Sequence, residues 1–320
     1  MAPVYKVAVI QLHPKVREDQ FACSFARKSF SAFLPCEHPL DIERNHASAI
    51  SYIRQAAAKS CHLAVLPEYH LTSWVPDSPD FIPLCARYQK YLDAYCALAS
   101  ELEICIVPGT IVEKHGPDLL NIAYFISSNG TILGRYQKKN LWHPERPHLT
   151  SSTHEPHMAF DTPLGKIGML ICWDLAFPEA FRELIAQGAK IIIVPTFWTL
   201  ADCSEEGLKH NPLSEQLFLE SVLVARTFEN TCAVVFANAG GPKDEDGRER
   251  GSWAGGSQVA LPFRGAVGKL GWEEGMSVVD VDMEILEQAE DNYKVRQDLA
   301  SEGWHYEYFL TRNQAQEEGS

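Results

Sequence analysis

The chain has 320 residues, 42 of them acidic and 28 basic, and a formal net charge of −14. Hydrophobic residues make up 46% and charged residues 22%, a globular composition that excludes a disordered chain, a collagen-like fibre and a coiled-coil rod. The acidic balance argues against nucleic acid. The densest basic runs, Gln137-Lys138-Lys139 and Arg248-Glu249-Arg250, are short beside the Lys/Arg clusters that phosphate backbones require. The longest apolar stretches, such as Ile191 to Pro195, fall far below the ~20 residues of a membrane span.

In chain order, Met1–Leu12 lacks the basic start and long apolar run of a signal peptide and reads as a first strand over Val7–Leu12. Val16–His38 is polar and aromatic with no clear period. Helical spacing then covers Ile42–Lys59, Cys85–Glu101, Pro178–Gln187 and Pro212–Glu229, with Pro178 and Pro212 where a first helical turn accepts proline. Strand-like runs recur between them: Leu63–Leu66, Ile104–Ile111, Ile122–Ser127, Ile132–Tyr136, Ile167–Cys172, Ile191–Val194, Cys232–Ala237, Ser257–Leu261 and Ser277–Val281. Asn129-Gly130 is a hairpin signal between two of these runs. Strand and helix therefore mix throughout, which predicts an α/β or α+β class packed in layers. No linker divides the chain, so residues 1–320 are expected to form one domain, with a loop at Gly240–Gly251 and a frayed tail at Gln314–Ser320. The nine cysteines contain no C-x-x-C pair. Without an export signal they read as reduced, mostly buried thiols, and the compartment as cytoplasm.

Cys172 differs from the other cysteines. It closes the apolar run Gly165–Ile171 and precedes a helix, a place that faces a cleft in α/β folds. Backbone N–H groups at a helix start favour a thiolate and the oxyanion it creates. Glu68 closes Leu63–Pro67, and Lys138 closes Ile132–Gln137, again at strand ends. Singly, a cysteine there is usually core and a charged residue usually solvated. Together they supply a base, an oxyanion holder and a nucleophile for acyl transfer through a thioester.

These motifs resemble the nitrilase superfamily of carbon–nitrogen hydrolases. Leu66-Pro-Glu68-Tyr69, Gly134-Arg-Tyr-Gln-Lys138-Lys-Asn-Leu141 and Gly168-Met-Leu-Ile-Cys172-Trp-Asp-Leu-Ala-Phe-Pro-Glu179 are similar to its three motifs, in order. The intervals are 70 residues from Glu68 to Lys138 and 34 from Lys138 to Cys172. Val7–Gln11, Asp41–Asn45, Arg226–Asn230, Asn238 and Val278–Asp282 extend the likeness over nearly the whole chain. The resemblance implies an αββα sandwich that dimerises into a four-layer-type body, and a cofactor-free Glu–Lys–Cys mechanism. Glu68 would be the general base, Cys172 the nucleophile, and Lys138 with the Trp173 N–H the oxyanion holders. Glu145 would orient Lys138 or the substrate.

Within the family, Cys172-Trp-Asp is closer to amidases and carbamoylases than to nitrilases, which usually carry Cys-Trp-Glu. Leu175 and Ala176 stand where carbamoylases that bind an amino-acid carboxylate tend to carry arginine. The expected substrate is therefore a small neutral or apolar carboxamide. Nitriles and N-carbamoyl amines are the alternatives, and a catalytically silent binding protein is the non-enzyme one. Trp142, Trp173, Phe177, Phe197 and Trp198 are candidate pocket walls. The histidine pairs His143/His148 and His154/His157 lack further ligand spacing, so no metal is expected. Neither a phosphate loop nor a G-x-S-x-G elbow is present. Val16–His38 departs from the family, whose first strand runs on quickly to the Asp41…Asn45 helix start. It reads either as a loop near the pocket or dimer surface, or as a retained intron, since Val16-Arg17 suits a splice-donor codon pair.

Overall fold

A computed structural model describes residues 2–15, 41–153, 155–242 and 252–304. Val16–His38, Gln314–Ser320 and most of Gly240–Gly251 lie outside the described residues, as do Cys23 and Cys36. The first half gives β1 (Val4–Gln11), α1 (Ile42–Ala58), β2 (Leu63–Val65), α2 (Phe81–Cys85), α3 (Tyr88–Leu102), β3 (Cys105–Val107), β4 (Thr110–His115), β5 (Asp118–Ile126) and β6 (Ile132–Gln137). The second gives β7 (Phe160–Thr162), β8 (Gly165–Met169), α4 (Pro178–Ala186), β9 (Ile191–Thr196), α5 (Glu205–His210), α6 (Ser214–Asn230), β10 (Ala233–Asn238), β11 (Gln258–Leu261) and β12 (Gly265–Val267). The last elements are β13 (Gly275–Asp282), α7 (Met283–Tyr293) and α8 (Val295–Leu299).

The strands form two mixed sheets. One runs β13-β1-β2-β3-β5-β4 with β6 also on β5, and the other runs β12-β11-β10-β9-β8-β7. β1, β2 and β3 are parallel, as are β8, β9 and β10. The alternation of side chains explains the layering. Val7, Val9, Leu63 and Val65 share a buried cluster with Ile167, Met169 and Val235 of the other sheet. The intervening Ala8, Ile10 and Ala64 join Ile53 of α1 and Tyr95 and Leu98 of α3. On the far side, Phe181 and Leu184 of α4 and Leu219 and Leu223 of α6 pack on the second sheet. The order is therefore α-β-β-α, with an apolar seam between sheets where each fully buried Val or Leu contributes ~1.5–3 kcal/mol. No helix among the described residues is long and apolar enough to cross a membrane.

The hairpin forms at Asn129-Gly130, with Gly130 at φ +83° and the Gly130 N–H donating to Ser127 O at 2.8 Å. The run Ile104–Ile111 is two strands, β3 and β4, both paired with β5. Pro108 has no N–H for the ladder, and Gly109 turns the chain at φ +64°. A Cβ on Gly109 would lie 1.9 Å from Pro67 O. Gly109→Ala is therefore expected to cost at least about 2 kcal/mol in urea unfolding, from overpacking and left-handed backbone together. An unchanged midpoint would show that the Pro67 segment yields freely. Pro178 opens α4 as expected, whereas Pro212 precedes the Leu213 cap of α6.

Candidate active site

Glu68 follows β2, Lys138 follows β6, Cys172 follows β8 and Phe197 follows β9. These strand ends bring the three residues singled out by the sequence together, with Glu145 beside them. Lys138 is wholly buried, and its Nζ donates to Glu68 Oε1 at 2.8 Å and to Glu145 Oε1 at 2.7 Å. Glu68 Oε1 also accepts from Asn121 Nδ2 at 2.8 Å, and its Oε2 accepts from the Phe197 N–H at 2.9 Å. Glu145 Oε1 accepts from the Tyr69 hydroxyl at 2.5 Å, and Oε2 from the Trp142 N–H at 2.8 Å. Both carboxylates are thus held at both oxygens, which removes rotational freedom before any substrate enters.

Cys172 is not the last residue of a strand. β8 ends at Met169, and Cys172 sits at φ +47° as the first residue of a 3-10 turn over Cys172–Ala176. A left-handed cysteine is strained and persists only where its surroundings hold it. Asp174 does much of the holding. Its Oδ2 accepts from the Ile171 N–H at 2.9 Å and the Tyr136 hydroxyl at 2.8 Å. Its Oδ1 accepts from the Asn140 N–H at 2.9 Å and Asn140 Nδ2 at 2.8 Å. The cysteine turn is thereby tied to the loop that carries Lys138. From the other side, the Arg226 guanidinium donates to Leu175 O at 3.2 Å and Ala176 O at 3.3 Å. Cys172 Sγ donates to Phe197 O at 3.8 Å.

The electrostatics correct one expectation. Cys172 does not rest as a helix-stabilised thiolate: burial first, then the charge of Glu68, pushes its pKa well above that of a free thiol. The helix that follows, α4, starts only at Pro178, too far along for its dipole to act within the first turn. Burial also raises Glu68, to about 7, against the opposing pull of Lys138. Burial alone would lower the Lys138 ammonium, but Glu68 and Glu145 outweigh it and its pKa is raised. The site therefore holds a protonated thiol beside a carboxyl poised near neutrality and a firmly charged ammonium.

Above Cys172 lies a cavity of about 80 Å³. Of the predicted wall residues, Trp142, Trp173, Phe197 and Trp198 line it. Phe177 does not; it packs edge-on to Trp173, ring centroids 6.0 Å apart, behind the wall. Tyr69, Trp74, Pro144 and Asp202 complete the lining and were not predicted as wall residues. A larger hollow of about 200 Å³ lies between α6 and the Lys269–Trp272 segment. None of the three strand-end residues reaches it, so chemistry rather than size selects the smaller one.

A two-sheet α/β sandwich of this layering defines the nitrilase-type fold. The carbon–nitrogen hydrolase family model matches residues 6–291, and the chain belongs to that family of hydrolases of non-peptide C–N bonds. A probable nitrilase of Schizosaccharomyces pombe is 29% identical over 260 residues, 79% of this chain and 88% of that protein. The omega-amidase NIT2 of Homo sapiens is 26% identical over 253 residues, 76% of this chain and 84% of that protein. Among solved structures, a carbon–nitrogen hydrolase from Helicobacter pylori G27 superposes with a TM-score of 0.72 at 21% identity. That match covers 92% of this chain and 94% of the other.

Proposed function

We propose that this chain hydrolyses a small carboxamide without negative charge to the carboxylic acid and ammonia, through a thioester on Cys172. The observation that carries the reading is the buried Glu68–Lys138–Glu145 chain beside the Cys172 thiol. Glu68 takes the thiol proton as sulfur attacks the carbonyl carbon. Lys138 has three N–H bonds and spends two on Glu68 and Glu145. The third holds the oxyanion, with the Trp173 N–H, which the start of the 3-10 turn leaves without an intrahelical acceptor. Glu68 then returns its proton to the departing ammonia. Water attacks the thioester with Glu68 again as base, and the thiol is restored.

The Cys172-Trp-Asp run and the amidase name carried by the human relative favour an amide over a nitrile. The same proposal includes one domain, a homodimer or higher homo-oligomer, and the cytoplasm. Exposed Leu213 and Leu217, beside and on α6, are apolar surface that pairing would cover. The seven described cysteines are free thiols, which suits a reducing compartment.

Ammonia release from short amides, aromatic amides, N-carbamoyl amines and nitriles tests the substrate class, and amides are expected to respond. The pH profile tests the base. Glu68 must be ionised to take the thiol proton, and it is protonated below about 7. kcat/KM is therefore expected to fall about tenfold per pH unit on the acid side of that value. A profile flat from about pH 5 to 8 would remove Glu68 from the role of base.

A further inference from the structure

Among the described residues, the wall of the Cys172 cavity carries two charged side chains, Glu145 and Asp202, and both are acids. Glu145 is largely committed, since Lys138 and Tyr69 fill one oxygen and the Trp142 N–H takes one of the two sites on the other. Asp202 is half used. Its Oδ2 accepts from the Thr199 N–H at 2.7 Å and the Thr199 hydroxyl at 3.1 Å, while its Oδ1 accepts from no described residue. No described lysine or arginine lies in the wall to meet a substrate carboxylate, because Lys138 sits beneath it between Glu68 and Glu145.

The rest of the lining is largely aromatic. Trp142 and Trp173 have ring centroids 4.4 Å apart, and Trp173 and Trp198 5.5 Å apart. Indole faces attract cations, most strongly where water is thin. Trp198 Nε1 donates to Glu215 Oε2 at 2.6 Å, which fixes that ring and puts a further carboxylate behind the wall. Small size, aromatic faces and an acid with one open oxygen are the features that recognise an ammonium group.

We propose that Asp202 is a specificity-determining residue that receives an ammonium group on the acyl portion of the substrate, so that the preferred amide is cationic. This rests on the thioester reading above and narrows its substrate class. One ammonium N–H bonds to Asp202 Oδ1 and the others face the indole rings. Burial raises the Asp202 carboxyl to about 6, which leaves it mainly ionised at neutral pH.

Three amides of matched length test this, ending in an ammonium, a methyl and a carboxylate, against the wild type and Asp202→Asn. Asparagine keeps an acceptor for Thr199, so the turn cap survives and the charge is lost. The wild type is expected to favour the ammonium amide over the methyl amide at least about tenfold in kcat/KM. That ratio is expected to fall about tenfold or more in Asp202→Asn, the range for a lost charge-assisted hydrogen bond. A wild-type preference for the methyl or carboxylate amide overturns the proposal, as does a ratio unmoved by the substitution. If Asp202→Asn does not fold, competitive inhibition of the wild type by butylammonium rather than butyrate decides. Calorimetry of the same amides with Cys172→Ala separates the two readings. Ammonium-selective binding without wild-type turnover overturns the thioester reading alone, and turnover without ammonium selectivity overturns the role of Asp202 alone.

Discussion

Cys172→Ala is expected to lower ammonia release from a responding amide by at least about 10⁴-fold, because the proposed thioester forms on its sulfur. The substitution removes one sulfur that donates to Phe197 O over a long 3.8 Å. Alanine meets the same left-handed strain that cysteine already bears at φ +47°. Asp174 and Arg226, which hold the turn, are untouched. Stability should therefore change by no more than about 1–2 kcal/mol, the transfer and cavity cost of a small buried group. A large loss of rate in a folded protein is the expected pair of results, read by ammonia assay and thermal melt. Activity within about tenfold of wild type would place the chemistry away from the strand-end cluster. Cys172→Ser refines the point. Serine keeps a hydroxyl in place, but its proton is far harder to remove, and Glu68 near 7 is a weak base for it.

Much of this site is legible in the chain because its groups sit where apolar runs stop. Glu68, Lys138 and Cys172 each follow a hydrophobic stretch, and strand ends in layered α/β folds meet at one edge. Glu145 is legible only through the family resemblance, which implies a second glutamate soon after Lys138. What the sequence hides depends on which strands become neighbours. Asn121 is one polar side chain within buried β5, and its partner Glu68 lies 53 residues away. A buried asparagine in an apolar strand is a signal, but its partner has no local mark. Asp202 lines the cavity only because the segment after β9 turns back over Cys172. Phe177 misleads for the opposite reason, since nearness to Cys172 in sequence does not fix the side on which a ring faces. Periodicity also overran the end of β8. Leu170 and Ile171 are fully buried like strand residues, yet the strand stops at Met169 and the backbone then turns left-handed. The short strands β7 and β12 offer three residues each, too few for alternation to register. Asp282 caps α7 by accepting from the Glu284 N–H at 3.0 Å, a helix-start signal directly after the Ser277–Val281 strand run that the sequence reading does not use.

Lys138→Met is expected to damage stability and rate together, and the two losses have separable causes. Methionine keeps most of the buried stem but removes the ammonium between Glu68 and Glu145. Two carboxylates are then left in a dry site with no cation, and breaking a buried pair of this kind costs about 3–5 kcal/mol. The protein can limit that cost by keeping a proton on one carboxyl, which would raise Glu68 beyond about 7 and weaken it as a ready base at neutral pH. Loss of an oxyanion donor should lower kcat about 10²–10³-fold in addition. The double variant Lys138→Met/Glu145→Gln tells these effects apart. Glutamine removes one of the stranded charges while its carbonyl oxygen can still accept from Tyr69 or Trp142. Stability should recover relative to Lys138→Met by about 1–3 kcal/mol, a coupling expected of residues in one network. Activity should not recover, because neither substitution supplies the missing N–H. Recovery of both would mean that Lys138 serves only to neutralise buried acids, and the oxyanion would then rest on the Trp173 N–H alone.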